Sequence, residues 1–114
     1  MSLPDDSQRQ ELPEPFEVEV RADHSRTFVI PRGELDMAST DEVADRIDAL
    51  VGDGVAEIVL DLRQLTFMDS AGVRLIVQQT RSPDRQVSII DGNEPVARLF
   101  DLTGLRPHLP FFTP

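Results

Sequence analysis

Apolar and polar residues alternate at the first ordered-looking stretch of the chain. Phe16, Val18 and Val20 are interleaved with Glu17, Glu19 and Arg21, the period of a strand with one face on a core and the other in water. Asp23-His24-Ser25 reads as a turn, and Thr27-Phe28-Val29-Ile30 resumes the extended pattern, so a hairpin is expected. Pro31 has no N–H to give to a ladder and is expected to end or bulge this second strand. Ser39 with Glu42 is a capping-box pair. Behind it Val43, Ile47, Leu50 and Val51 form a helical stripe, and Gly52-Asp53-Gly54 stops it. Ala56 to Leu62 is almost continuously apolar, as in a central strand covered on both faces. A loop from Leu65 then leads to a second helix opening near Ser70, with Val73, Ile76, Val77 and Thr80 on its core face. Val87 to Asp91 is another buried strand. Asn93 is a candidate cap for a third helix, whose stripe is Val96, Leu99, Phe100 and Thr103 and whose end is Gly104. The stretch from Leu105 to Pro114 is at most a short edge strand or a packed tail.

The order β-β-α-β-α-β-α predicts a single α/β domain. Its sheet is mixed and mostly parallel, with one antiparallel N-terminal strand, and amphipathic helices cover it. Residues 1–15 hold three prolines, four acids and one arginine, too little apolar surface to offset ordering, so they are expected to be a disordered tail. The domain is expected to span 16–114.

Charge narrows the classes of function. Eleven arginines and no lysines face twenty-one acids, a net charge of −10. Such an excess disfavours nucleic acid and anionic membrane surfaces as partners. Cysteine is absent, and His24 and His108 are the only histidines, so thiolate or multi-histidine metal sites are not expected, nor any cofactor. No apolar run approaches ~20 residues, and the polar, acidic start lacks the features of a secretory signal. The expected location is the cytoplasm.

Phe67-Met68-Asp69-Ser70-Ala71-Gly72 is the most informative segment. It follows a buried strand and opens a helix, the place where α/β sheets carry their sites. Asp69 or Ser70 could be nothing more than a helix cap, since both are preferred there. As a nucleophile Ser70 would need a base, and neither histidine is tied to it. A phospho-accepting aspartate site would want a lysine, and there is none. No glycine-rich phosphate cradle exists.

From Leu60-Asp61-Leu62 through Leu65-Thr66-Phe67-Met68-Asp69-Ser70-Ala71-Gly72-Val73, the chain closely resembles the anti-sigma factor antagonists of the STAS domain family. Gly33-Glu34-Leu35-Asp36 is similar to that family's strand-to-helix segment, and Phe100 to Leu105 to its third-helix ending. The resemblance spans about residues 16–112. The family commonly continues into a final helix that this chain does not show, and residues 1–15 take no part in the likeness.

The resemblance implies a partner switch in which the protein is substrate and ligand rather than enzyme. Unphosphorylated, it would bind an anti-sigma factor serine kinase and so release a sigma factor. The kinase, using its own ATP, would phosphorylate Ser70, and a protein serine phosphatase would reverse the step. The implied contact face comprises Asp36, Ser39, Asp69, Ser70, Gly72, Arg74 and Gln78. Asp36 and Ser39 also read as loop-holding or capping residues, Arg74 and Gln78 as ordinary solvated ones, and Phe67 and Met68 as packing. Two other readings stay open: a non-switching STAS subunit of a larger complex such as a transporter ATPase, and a small acid-rich hydrolase dependent on Asp69.

Overall fold

The computed structural model describes residues 15–113. The expected tail, save Pro15, and Pro114 therefore lie outside the described residues. The elements are β1 (Glu17–Asp23), β2 (Arg26–Leu35), α1 (Thr40–Gly52), β3 (Glu57–Asp61), β4 (Leu65–Met68), α2 (Ser70–Arg81), β5 (Gln86–Ile90) and α3 (Glu94–Thr103), followed by a 3-10 turn at Arg106–His108.

The hairpin forms as expected. β1 and β2 pair antiparallel from Glu17↔Arg32 to Asp23↔Arg26 around a two-residue turn, where His24 takes a left-handed φ of 55°. β2, β3 and β5 follow as parallel neighbours. Two strand expectations need correction. Residues 65–68, read as loop, form β4, which pairs parallel with the end of β2. Pro31 does not end β2. One side of β2 pairs with β3 at residues 26–29 and with β4 from Gly33 onward. Pro31 falls in the interval between them, where that side has no ladder to interrupt. The irregularity comes at Gly33/Glu34 instead.

All three helices feed one core with Val29, Leu35, Ile58, Leu60, Val87 and Ile89, all under 5% exposed. Val43 and Ile47 come from α1, Val73, Leu75 and Ile76 from α2, Val96 and Phe100 from α3. The second face of β3 is covered, but not by a helix. Val59 is fully buried outside that core with Phe28 and Ser88 beside it in register, and Phe112 packs edge-on against Phe28 at 5.8 Å.

The buried face of α2 is wider than its stripe predicted. Leu75 and Gln79 are buried, because α2 packs on α1 as well as on the sheet. The Gln79 Oε1 accepts from Arg85, whose guanidinium also reaches Asp48 on α1 at 2.6 Å. On α3, Thr103 is exposed, its hydroxyl donating to the Leu99 carbonyl. Asn93 stands at the cap position but gives its amide to the Arg63 carbonyl. Gly104 ends the helix in the left-handed region, as expected.

The last described residues are a packed tail. Ile89 donates to the Pro110 carbonyl and Phe112 to the Ile89 carbonyl, so Phe111 bridges the outer edge of β5. Arg106 fastens it through Asp91 and Asp101, both at 2.6 Å, with its guanidinium over the Phe111 ring.

Asp61 closes β3 at 4% exposure. Burial alone would raise its pKa, but Arg63 outweighs this by donating from its backbone N, Nε and Nη2, and the carboxyl is held below its usual range. A depressed folded-state pKa lends stability above the unfolded value, lost as pH falls through the folded one. Arg63→Gln should therefore cost about 1–2 kcal/mol at neutral pH. The gap to wild type should close as pH falls through the lowered Asp61 value, as measured by urea unfolding across that range.

Candidate functional site

Two loops meet at one end of the sheet because β4 lies against the end of β2. Leu35 pairs with Met68, and the Asp69 N–H donates to the Leu35 carbonyl at 3.2 Å. The β2–α1 loop and the start of α2 are thereby held side by side.

In the first loop, Ser39 occupies the N-cap position of α1 without capping it. Its Oγ turns back, donating to the Glu34 carbonyl at 2.7 Å and accepting from the Asp36 N–H at 3.0 Å. The expected capping box is thus not made, and Ser39, 6% exposed, shapes the loop from inside. The Asp36 Oδ1 accepts from the Ala38 N–H at 2.9 Å. These bonds leave Met37 at the tip, 81% exposed.

In the second, the cap of α2 is Asp69. Its Oδ1 accepts from the Ala71 and Gly72 N–H groups at 2.9 and 3.3 Å. Ser70 is the first helical residue and exposed, and among the described residues its hydroxyl has no hydrogen-bond partner. The two residues that compete for the capping role in the sequence are separated here: one caps, the other faces water.

Gly72 is buried. A Cβ there would collide with the Met68 side chain and lie 3.0 Å from the Leu35 carbonyl. Its bareness lets α2 close onto the β2–β4 pair, rather than clearing a path to the Ser70 hydroxyl. Arg74 and Gln78 are exposed and line a groove of about 250 Å³ between α1 and α2, with Met37, Thr40, Asp41, Ala44, Ala71 and Leu75.

The structure thus brings Asp36, Asp69 and Ser70 together at one end of the sheet, with Ser39 and Gly72 beneath, and sets Arg74 and Gln78 further along α2 on the α1–α2 groove. Met37 was missed, although a methionine between two strong periodic segments is a signal. Phe67, read as packing, is 45% exposed, while Met68 is buried. Among the described residues no cluster of His, Asp or Glu is placed to hold a metal ion, and no helix is long and apolar enough to cross a membrane.

The family model for the STAS domain matches residues 16–113, and the chain belongs to that family. It is 33% identical over 101 residues to the anti-sigma F factor antagonist of Paenibacillus polymyxa, covering 83% of this chain and 86% of that one. Over 77 residues it is 30% identical to the anti-sigma-B factor antagonist of Staphylococcus aureus, covering 65% and 71%. Solved structures share the fold. An anti-sigma factor antagonist from Mycobacterium paratuberculosis superposes with a TM-score of 0.74 at 23% identity, covering 90% and 92% of the two chains. The Bacillus cell fate determinant SpoIIAA in its phosphorylated form gives 0.60 at 22%, covering 87% and 92%.

The division of labour at α2 predicts a contrast. Asp69→Ala should cost about 1 kcal/mol, lowering Tm by about 4–8 °C in a domain of this size. Ser70→Ala should stay within about 0.5 kcal/mol of wild type. Thermal unfolding of both variants checks it.

Proposed function

We propose that the protein is an anti-sigma factor antagonist whose hold on an anti-sigma factor serine kinase is broken by phosphorylation of Ser70. The observation that carries this reading is the Ser70 hydroxyl, exposed at the start of α2 and, among the described residues, free of any hydrogen bond. A kinase needs an oxygen it can reach without unfolding its substrate. In the transfer, the Ser70 Oγ attacks the γ-phosphorus of ATP held by the partner. The bond to the ADP oxygen breaks, and the hydroxyl proton passes to a base of the partner. A protein serine phosphatase resets the switch.

The product is tolerated locally and hostile across an interface. A phosphate adds about −1.5 to −2 charges, and a helix N-terminus favours an anion, so the fold persists. The surrounding surface is already acidic, with Glu34 at the end of β2, Asp36 and Asp69 in the two loops and Asp41 in the first turn of α1. A desolvated dianion without a cation opposite costs several kcal/mol, and about 1.4 kcal/mol is tenfold in affinity. The relatives named as anti-sigma factor antagonists support the same reading. Asp36, Asp69, Arg74 and Gln78 form the contact face, with Ser39 and Gly72 setting its shape.

Incubation with an anti-sigma kinase and ATP, followed by mass spectrometry, should place one phosphate on Ser70. Ser70→Ala should bind that kinase as wild type does and resist release. Ser70→Glu should fold and bind at least tenfold more weakly, a loss of about 1.4 kcal/mol. Stable binding with no phosphate on Ser70 would replace the switch with a constitutive STAS subunit.

A further inference from the structure

Among the described residues, β1 carries the sheet's one long unpaired edge. The far edge of β5 is bridged by Phe111, and β4 lies against α3. Such an edge is a template for another strand unless charge or shape forbids it. On β1 the charges lie on the face away from the helices, since Val18 and Val20 pack towards the core and Glu17, Glu19, Arg21 and Asp23 alternate with them.

We infer that this edge is a self-association surface, on which a second copy of the chain adds its own β1 antiparallel about a two-fold axis at Val20. In that register all seven residues of β1 pair. Glu19 faces Arg21 of the other copy twice, Val18 faces Ala22, and Val20 faces itself. Side-chain alternation allows slips only in steps of two. A slip one way sets Glu19 against Glu19 on the axis, and the other way Arg21 against Arg21. The central register is therefore the one whose middle is free of like charges. Glu19 already holds Arg21 of its own strand at 2.6 Å and Arg32 of β2 at 2.5 Å, so the new pairs extend an existing row. Glu17 facing Asp23 at each rim opposes the contact, as does the net charge of −10 per chain, which makes it a weak, reversible dimer. The antiparallel arrangement puts the two Ser70 sites at opposite ends of the joined sheet.

Sedimentation of the full chain at 0.15 M salt, where charges are screened beyond about 8 Å, up to about 1 mM, should show a monomer–dimer equilibrium. Arg21→Glu, at an exposed position, should weaken it at least tenfold, and Glu19→Arg likewise. Mixed one to one, these two variants should associate with each other, because each supplies the charge the other lacks. If Glu19→Arg does not fold, Arg21→Glu alone decides. A chain that stays monomeric throughout overturns the inference, as does a dimer indifferent to Arg21→Glu. A monomer whose outward β1 amides nonetheless exchange slowly overturns it in favour of the chain's own residues lying along the edge.

Discussion

The hydrogen bond from the Asp69 N–H to the Leu35 carbonyl is the point on which the functional end of the molecule depends. It continues the Leu35–Met68 pairing one residue past the strand, so the cap of α2 is set by β2 rather than by its own loop. At position 72 a Cβ would run into the Met68 side chain and crowd this same carbonyl at 3.0 Å. Strand register, helix cap and helix approach are therefore one constraint. A one-residue slip of β4 would take Met68 off Leu35 and carry Ser70 away from the β2–α1 loop.

Much of this was legible in the chain. The alternation from Phe16 to Arg21, the stripe Val43-Ile47-Leu50-Val51 and the glycine at 104 each specify an element locally, and each is found where the pattern put it. What was missed depends on partners distant in sequence. β4 is only four residues long and owes its extended form to β2. Pro31 survives inside a strand because β2 changes neighbours there. Gln79 is inside because α1 and Arg85 are beside it. At the site, Ser70 and Asp69 were identifiable as candidates, but which of them caps the helix is a matter of side-chain geometry. Ser39 matched a capping box in type and spacing, yet the carbonyl of Glu34 and the N–H of Asp36 offered its hydroxyl better partners.

The electrostatic character of the surface follows from how the arginines are spent. Arg63, Arg85 and Arg106 are committed to acids within the fold, on Asp61, on Asp48 and Asp84, and on Asp91 and Asp101. These are half-buried or interlocked contacts that fasten strand ends and tails. Among the described residues, no arginine is bonded to Glu34, Asp36, Asp41, Glu42 or Asp69. Negative charge therefore accumulates at the end of the sheet carrying Ser70, and Arg74 stands in the α1–α2 groove without an ion pair among the described residues.

The strap formed by Phe111 and Arg106 has a geometrical consequence for assembly. Sheets grow sideways by adding strands, and a protomer open at both flanks can propagate without limit into a fibre. Here the β5 flank is occupied by the chain's own backbone, with Ile89 engaged on both its N–H and its carbonyl. A strand added at that flank would have to displace Phe111 from Ile89, a contact made by residues remote in sequence from the loops that carry Ser70.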